Sequence, residues 1–271
     1  MYVSVDLCKA TKGQLSIATT GVATVVAETS FSNAQCLTSL EGASFALSQT
    51  GSKALSLVNG WTNGSGTYAA AAALVDGIVR LEGVVSSGTT GLITTLPATM
   101  RPASDVYIPV SLCNATNGRL FIAPDGTVTG EAEGAFSNAQ CLTSLDGASF
   151  DPSTAGTVPL TLLNGWTDAP SETSNAALRN IGGVVQLKGA IATSGTSTSP
   201  FTLPVGNRPA STVYVPVDMC NATNGQLTVQ PSGSVTVQAE TSFSNAQCLT
   251  SLDGAWFVAT PFTPVALQNG W

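Results

Sequence analysis

The sequence contains no histidine, and only 9% of its 271 residues are charged. Without imidazole, the commonest general base, the usual zinc ligand and every His-dependent nucleophilic triad are excluded. An ordinary globular domain is roughly a quarter charged, so Ser, Thr, Asn, Gln and Gly must cover this surface instead. Basic residues are the scarcer sign: 9 Lys plus Arg stand against 16 Asp plus Glu, a formal net charge of -7. Nucleic-acid binding needs clustered cations and is not expected, nor is attachment to an anionic membrane. Long apolar runs are missing too. The longest, Ala69 to Val75, is far short of the ~20 residues of a membrane-spanning helix, so no membrane insertion is expected. Strand-like sequence from Tyr2 onward predicts no signal peptide. A neutral surface of hydroxyls and amides suits particles and secreted proteins better than metabolic enzymes.

What is present is a repeat, the feature to seek first in any chain. The segment FSNAQCLTSL occurs at Phe31–Leu40, Phe136–Leu145 and Phe243–Leu252 without change. A related block precedes each copy, beginning at Tyr2, Tyr107 and Tyr214, and each copy closes on Asn-Gly-Trp at Trp61, Trp166 and Trp271. A second block lies between them, at Thr62–Asp105 and again at Thr167–Thr212. With the Cys-bearing block called A and the linking block B, the chain reads A-B-A-B-A. One full repeat is then about 105 residues, the size of a domain. The expected organisation is a partial first repeat at 1–61, a second repeat at 62–166 and a third at 167–271. The first A block has no B block before it. Either it is a half-domain completed by another chain or the sequence is a fragment of a longer array, and an exposed sheet edge covered by another chain is expected there.

The local pattern is that of β-structure. Tyr107–Leu112 and Arg119–Ile122 are short runs rich in β-branched and aromatic residues. Pro124-Asp125-Gly126 and Pro231-Ser232-Gly233 each separate two such runs, as a hairpin turn does. Val79–Leu81 and Val184–Leu187 supply one further strand per B block. Ala69–Leu74 is the one helical candidate, and Asn175–Leu178 replaces it in the next repeat, so at most a single turn is expected. The fold class predicted is all-β: tandem β-sandwich, jelly-roll-like units of about 105 residues, each with one disulfide. The six cysteines fall into three pairs of equal spacing, Cys8 with Cys36, Cys113 with Cys141 and Cys220 with Cys248. Six cysteines allow 15 pairings; repeat symmetry favours the three bonds within repeats, with buried free thiols as the alternative. Two cysteines and no histidine per unit leave a four-ligand zinc site incomplete, so no metal and no cofactor is expected.

Leu96–Val110 and Leu203–Val217 share a Leu-Pro, Arg-Pro-Ala, Val-Tyr-x-Pro-Val progression after a GxVxLxG-type strand, followed by Asn-Gly-x-Leu and a P-x-G-x-V hairpin. This pattern resembles the β-sandwich tip domains of bacteriophage tail-fibre and baseplate receptor-binding proteins. The resemblance covers both full repeats and the first A block. It implies a virion location outside the cell, binding of host cell-surface polysaccharide, contact with other virion proteins, assembly as a homo-oligomer, commonly a trimer, and no fixed catalytic residues. Tandem copies with a Cys pair in each depart from that pattern. Three A blocks on one chain could build a pseudo-threefold by themselves.

The candidate ligand residues follow from the repeat. Trp61, Trp166 and Trp271 are either sugar-stacking platforms or core anchors that lock one repeat to the next. Asn33, Asn138 and Asn245, with Gln35, Gln140 and Gln247, form either a repeated ligand site or a buried amide network beside the cysteines. Glu41, Asp146 and Asp253 pair in sequence with Glu28, Glu133 and Glu240. Two carboxylates serve a retaining glycosidase only when ~5 Å apart, and Asp-Gly is first a turn signal. Arg101 and Arg208 precede proline and should brace a turn through backbone carbonyls. Asn114-Ala-Thr116 and Asn221-Ala-Thr223 match the glycosylation pattern but read as turns. The expectation is a non-enzymatic protein that binds host glycans through repeated weak sites, which multivalency would strengthen by ~10²–10⁴. The alternatives are a purely structural virion element, such as a fibre shaft or capsid decoration, and a secreted bacterial lectin.

Overall fold

A computed structural model describes residues 1–260, 265 and 267–269. Each A block folds the same way. In the first, β1 (Tyr2–Leu7), β2 (Lys12–Ile17) and β3 (Ala23–Ala27) form an antiparallel meander. The short helix α1 (Phe31–Cys36) follows, and β4 (Thr38–Ser39) returns to pair with the end of β1. Two successive residues in the left-handed region make the tight link between β1 and β2: Lys9 and Ala10, then Asn114 and Ala115, then Asn221 and Ala222. Asn tolerates that region better than most residues, and the segments read as turns are turns. The link sets the first cysteine against the end of the helix, which carries the second. All three within-repeat disulfides form, with Cα–Cα separations of 5.7, 5.6 and 5.8 Å, and no cysteine is free. The equivalent helices are α2 (Phe136–Cys141) and α3 (Phe243–Cys248). Six residues are too few to show a helical period, so none of the three was expected. Ser30 and Ser242 cap α1 and α3 by accepting the Ser32 and Ser244 amides.

The B blocks are strands throughout. Ala71–Val75 and Ile78–Glu82 form a hairpin across Asp76-Gly77, both left-handed, as a two-residue hairpin turn requires. The helical candidate at Ala69–Leu74 is therefore corrected to a strand. Ala70 and Ala72 are buried in the same core as Trp61 and Phe150. Each B block covers the A block that follows it. In the second repeat Leu92–Thr95 extends the A sheet at Thr127–Ala132, Val84–Ser86 pairs with Thr143–Ser144, and Ile78–Glu82 pairs with Ser149–Phe150. In the third, Ala190–Thr193 pairs with Thr250–Ser251 and Val184–Lys188 with Trp256–Val258. The result is an all-β chain of tandem antiparallel sandwiches, whose cores centre on Phe150 and Phe257, both fully buried.

The boundaries fall earlier than the repeat suggested. Lys53–Ala54 pairs with Ala71–Ala72, and Leu55 and Trp61 lie in the core of the second sandwich. Val158–Pro159, Leu160 and Trp166 belong likewise to the third. Chain leaving one A block thus crosses directly into the next module, because its apolar side chains are buried there. Within each B block the second glycine of the GxVxLxG strand is irreplaceable. Gly83 has φ +95°, and a Cβ there would lie 2.5 Å from the Ala69 carbonyl oxygen; at Gly189 the Ser174 oxygen would be 2.4 Å away. Left-handed strain plus a backbone clash makes Gly83→Ala or Gly189→Ala cost about 3 kcal/mol, measurable as a lowered urea midpoint with an unchanged slope.

The three A blocks then pack around a common axis. β1, Val106–Ser111 and Val213–Asp218 are in mutual contact. The contacts run in one rotational sense: Ser39 donates its hydroxyl to the Tyr214 carbonyl at 2.5 Å, Ser144 to that of Tyr2 at 2.5 Å, and Ser251 to that of Tyr107 at 2.6 Å. One chain builds a pseudo-threefold ring out of its own copies.

Candidate functional site

The ring axis is polar, and its residues come from positions that alternate along β1 and β2. Lys12 is almost fully buried and donates to the Ser4 hydroxyl. Asn117 and Asn224 occupy its place in the other copies. Asn224 donates to Asp6 at 3.2 Å. Neighbouring copies meet through one slot filled three ways. Asp218 of the third copy takes Arg119 of the second at 3.2 Å, Ser111 of the second donates to Gln14 of the first at 3.0 Å, and Asp6 of the first bonds Gln226 of the third. Burial pushes Asp6 up to about 8 and Asp218 up to about 7, while Lys12 is pushed down to about 8 by burial against the pull of Glu28 and Asp6.

At one end the axis opens into a depression of about 390 Å³. Glu28, Glu133 and Glu240, one from each copy, line it, and Asn117 touches all three. Its backbone N–H donates to Glu28 at 3.2 Å, and its side-chain amide to Glu133 at 2.7 Å and Glu240 at 2.9 Å. Burial lifts the Glu28 carboxyl to about 7, reinforced by Glu240, and burial raises Glu240 as well. Asn138 lines the same depression. Asn33 and Asn245 donate to Thr29 and Thr241, which also line it, at 3.2 and 3.3 Å. Of the three candidate asparagines, only Asn138 lines the mouth directly; Asn33 and Asn245 stand behind its threonines.

The tryptophans go elsewhere. Trp61 and Trp166 are each 4% exposed, donate their indole N–H to Thr90 and Ser197 carbonyls at 2.8 and 2.9 Å, and meet Phe136 and Phe243 edge-on. A buried ring offers no face to a saccharide, so the platform assignment is corrected to core anchor for both; Trp271 lies outside the described residues. The glutamines brace the sandwich: Gln140 and Gln247 donate to Gly88 and Gly195 of their B blocks at 2.8 and 2.7 Å. Arg101 and Arg208 hold the Leu96 and Leu203 carbonyls at 3.1 and 2.9 Å, closing the expected turns. The paired carboxylates do not share a cleft. Asp146 accepts the Gly83 amide of its B block and the Tyr2 amide of the first A block, whereas Glu133 sits at the axial mouth on Asn117. Among the described residues no group of three or more His, Cys, Asp or Glu side chains is placed to hold a metal, and no helix is long and apolar enough to cross a membrane.

Sequence reasoning missed Lys12, Asn117 and Arg119. For Lys12 and Arg119 the signal was present: each stands where the other two copies share one residue, Asn117 and Asn224 or Gln14 and Gln226. No known family model matches the chain, and no curated protein and no solved structure is found to match it.

Proposed function

We propose that the chain is a non-enzymatic virion surface protein of the phage tail-fibre or receptor-binding kind, which contacts host cell-surface glycan through the mouth of its pseudo-threefold axis. The observation that carries this reading is the composition of that mouth. Carboxylates and hydroxyls from all three copies, with the Asn117 and Asn138 amides of the second, face one concavity, and such groups bond the hydroxyls of a neutral saccharide. Three disulfides suit an oxidising location outside the cell. A threefold element built from one chain also suits the end of a threefold fibre. The expected result is binding of the intact chain to host-derived polysaccharide on a glycan array. Asn138→Ala should weaken that binding about tenfold, a loss of ~1.4 kcal/mol, without moving the melting temperature.

A purely structural virion role is the second reading. It is favoured by the burial of both described candidate tryptophans and by the engagement of Asn117 with all three glutamates. An array silent across host polysaccharides decides for it.

A further inference from the structure

The first A block carries the same core Leu and Phe as the other two and leaves them uncovered. Leu145 and Leu252 are fully buried, and Leu40 at the same position is 44% exposed. Phe150 and Phe257 are fully buried, and Phe45 is 40% exposed. Val128 and Val235 are buried, and Ala23 at that position is exposed. The block itself is folded alike in all three cases, so the difference lies in what covers it. In the second and third modules the cover is a B block. The Leu145 N–H bonds to the Gly83 carbonyl at 2.8 Å and that of Leu252 to Gly189 at 2.7 Å. At the outer sheet edge the Gly130 N–H bonds to Gly91 at 2.9 Å and that of Val237 to Thr198 at 2.8 Å. Val25 holds the Gly130 and Val237 position, so its N–H faces outward from β3. Among the described residues no strand pairs with that edge. Gln35, whose counterparts reach B-block carbonyls, is exposed.

We propose that the first A block is the acceptor for a third B-type segment, a polypeptide of the Ile78–Thr95 pattern, seated on β3 and β4 in the register seen in the second module. An open strand edge flanked by uncovered apolar side chains is the arrangement that captures an added strand. Both B blocks within residues 1–271 are already seated, so the occupant is additional to them. A second copy of the same residues does not supply it, because any B block lent to this acceptor uncovers the A block it came from. The inference is independent of what the axial mouth binds.

The test adds a synthetic peptide of residues 78–105 to the intact chain and follows amide hydrogen exchange. In parallel, the chain is extended after Trp271 by a flexible linker and a copy of residues 62–105. Exchange at Val25 and Leu40 is expected to slow at least tenfold in both, with Gly130 and Val237 unchanged. A peptide carrying Leu81→Asp and Ile93→Asp should do nothing. Unchanged exchange at Val25 and Leu40 in both formats overturns the proposal. So does a concentration-dependent dimer of the unmodified chain that already protects Val25, which would make a second copy the occupant.

Discussion

Trp166→Ala is expected to lower the melting temperature by about 10 °C, a core-truncation loss of ~3–5 kcal/mol spread over a chain of this size. The indole fills the third sandwich between Phe243 and the strand that ends at Thr193, and its N–H satisfies the Ser197 carbonyl. Removing it leaves both a cavity and an unpaired backbone oxygen. Trp166→Phe retains most of the apolar contact and loses only the hydrogen bond, so its shift should be less than half as large. Trp61→Ala is expected to behave alike, with an added effect because Gly88 lies flat against the Trp61 ring; a Cβ there would sit 2.0 Å from it. Scanning calorimetry checks the series. A Trp166→Ala chain that melts where the parent does but loses saccharide binding would return this residue to the ligand side.

That pair of residues also marks how far the sequence could be read. The Asn-Gly before each Trp is a turn as expected: Asn59, Gly60, Asn164 and Gly165 are all left-handed. Where the ring goes was not legible, because its pocket is made by residues far downstream, such as Thr90 and Phe136 for Trp61. Hairpins were legible wherever alternation flanked a Gly-containing turn, as at Pro124–Gly126, and the disulfides were legible from their equal spacing. Two-residue strands such as Thr143–Ser144 carry no period at all, yet they decide which B block meets which A block. The ring axis was hidden for a related reason. Lys12, Asp6 and Asp218 were not singled out by any pattern, because only the closure of three copies on one another removes their outer face from water. The same closure brings Asn138, with Glu28, Glu133 and Glu240, to one mouth.

The three-way variation of the interface slot explains how near-identical copies keep their order. A ring of identical units has no reason to seat the second copy beside the third in one particular sense. Asp218 with Arg119, Ser111 with Gln14 and Asp6 with Gln226 are different pairs. Reversing the order of the copies would set Arg119 against Asp6 and Asp218 against Gln14, leaving Asp218 without its cation. A buried polar mismatch of this kind discriminates against wrong registers more than it stabilises the right one.

Arg119→Met is the second large effect expected, and it depends on pH. Asp218 is buried, and its carboxyl is held at about 7 by burial, offset by Arg119, compared with 3.8 in the unfolded chain. Asp253 is at about 7 by burial, offset by Lys188, and Asp6 is raised further. A carboxyl with a higher pKa in the folded state holds its proton more tightly there. Its contribution is full below about pH 4 and is lost as pH rises through 7 to 8. Lys12 has the opposite form: its folded value of about 8 lies below 10.5, so its contribution is full above 10.5 and lost as pH falls through 8. Between pH 4 and 7 that lysine is charged in both states and adds no slope. The parent chain is therefore expected to melt higher at pH 5 than at pH 8. In Arg119→Met, ionised Asp218 at pH 8 has lost its cation inside the ring, which costs about 3 kcal/mol and some 6–12 °C. At pH 5 the same carboxyl is protonated and needs no cation, so less than half of that loss should remain. The double variant Arg119→Met with Asp218→Asn removes the titrating group and should show one shift at both pH values. A loss in Arg119→Met that is equal at pH 5 and pH 8 would mean that Asp218 stays ionised inside the ring, and the electrostatic account of the axis would have to be abandoned.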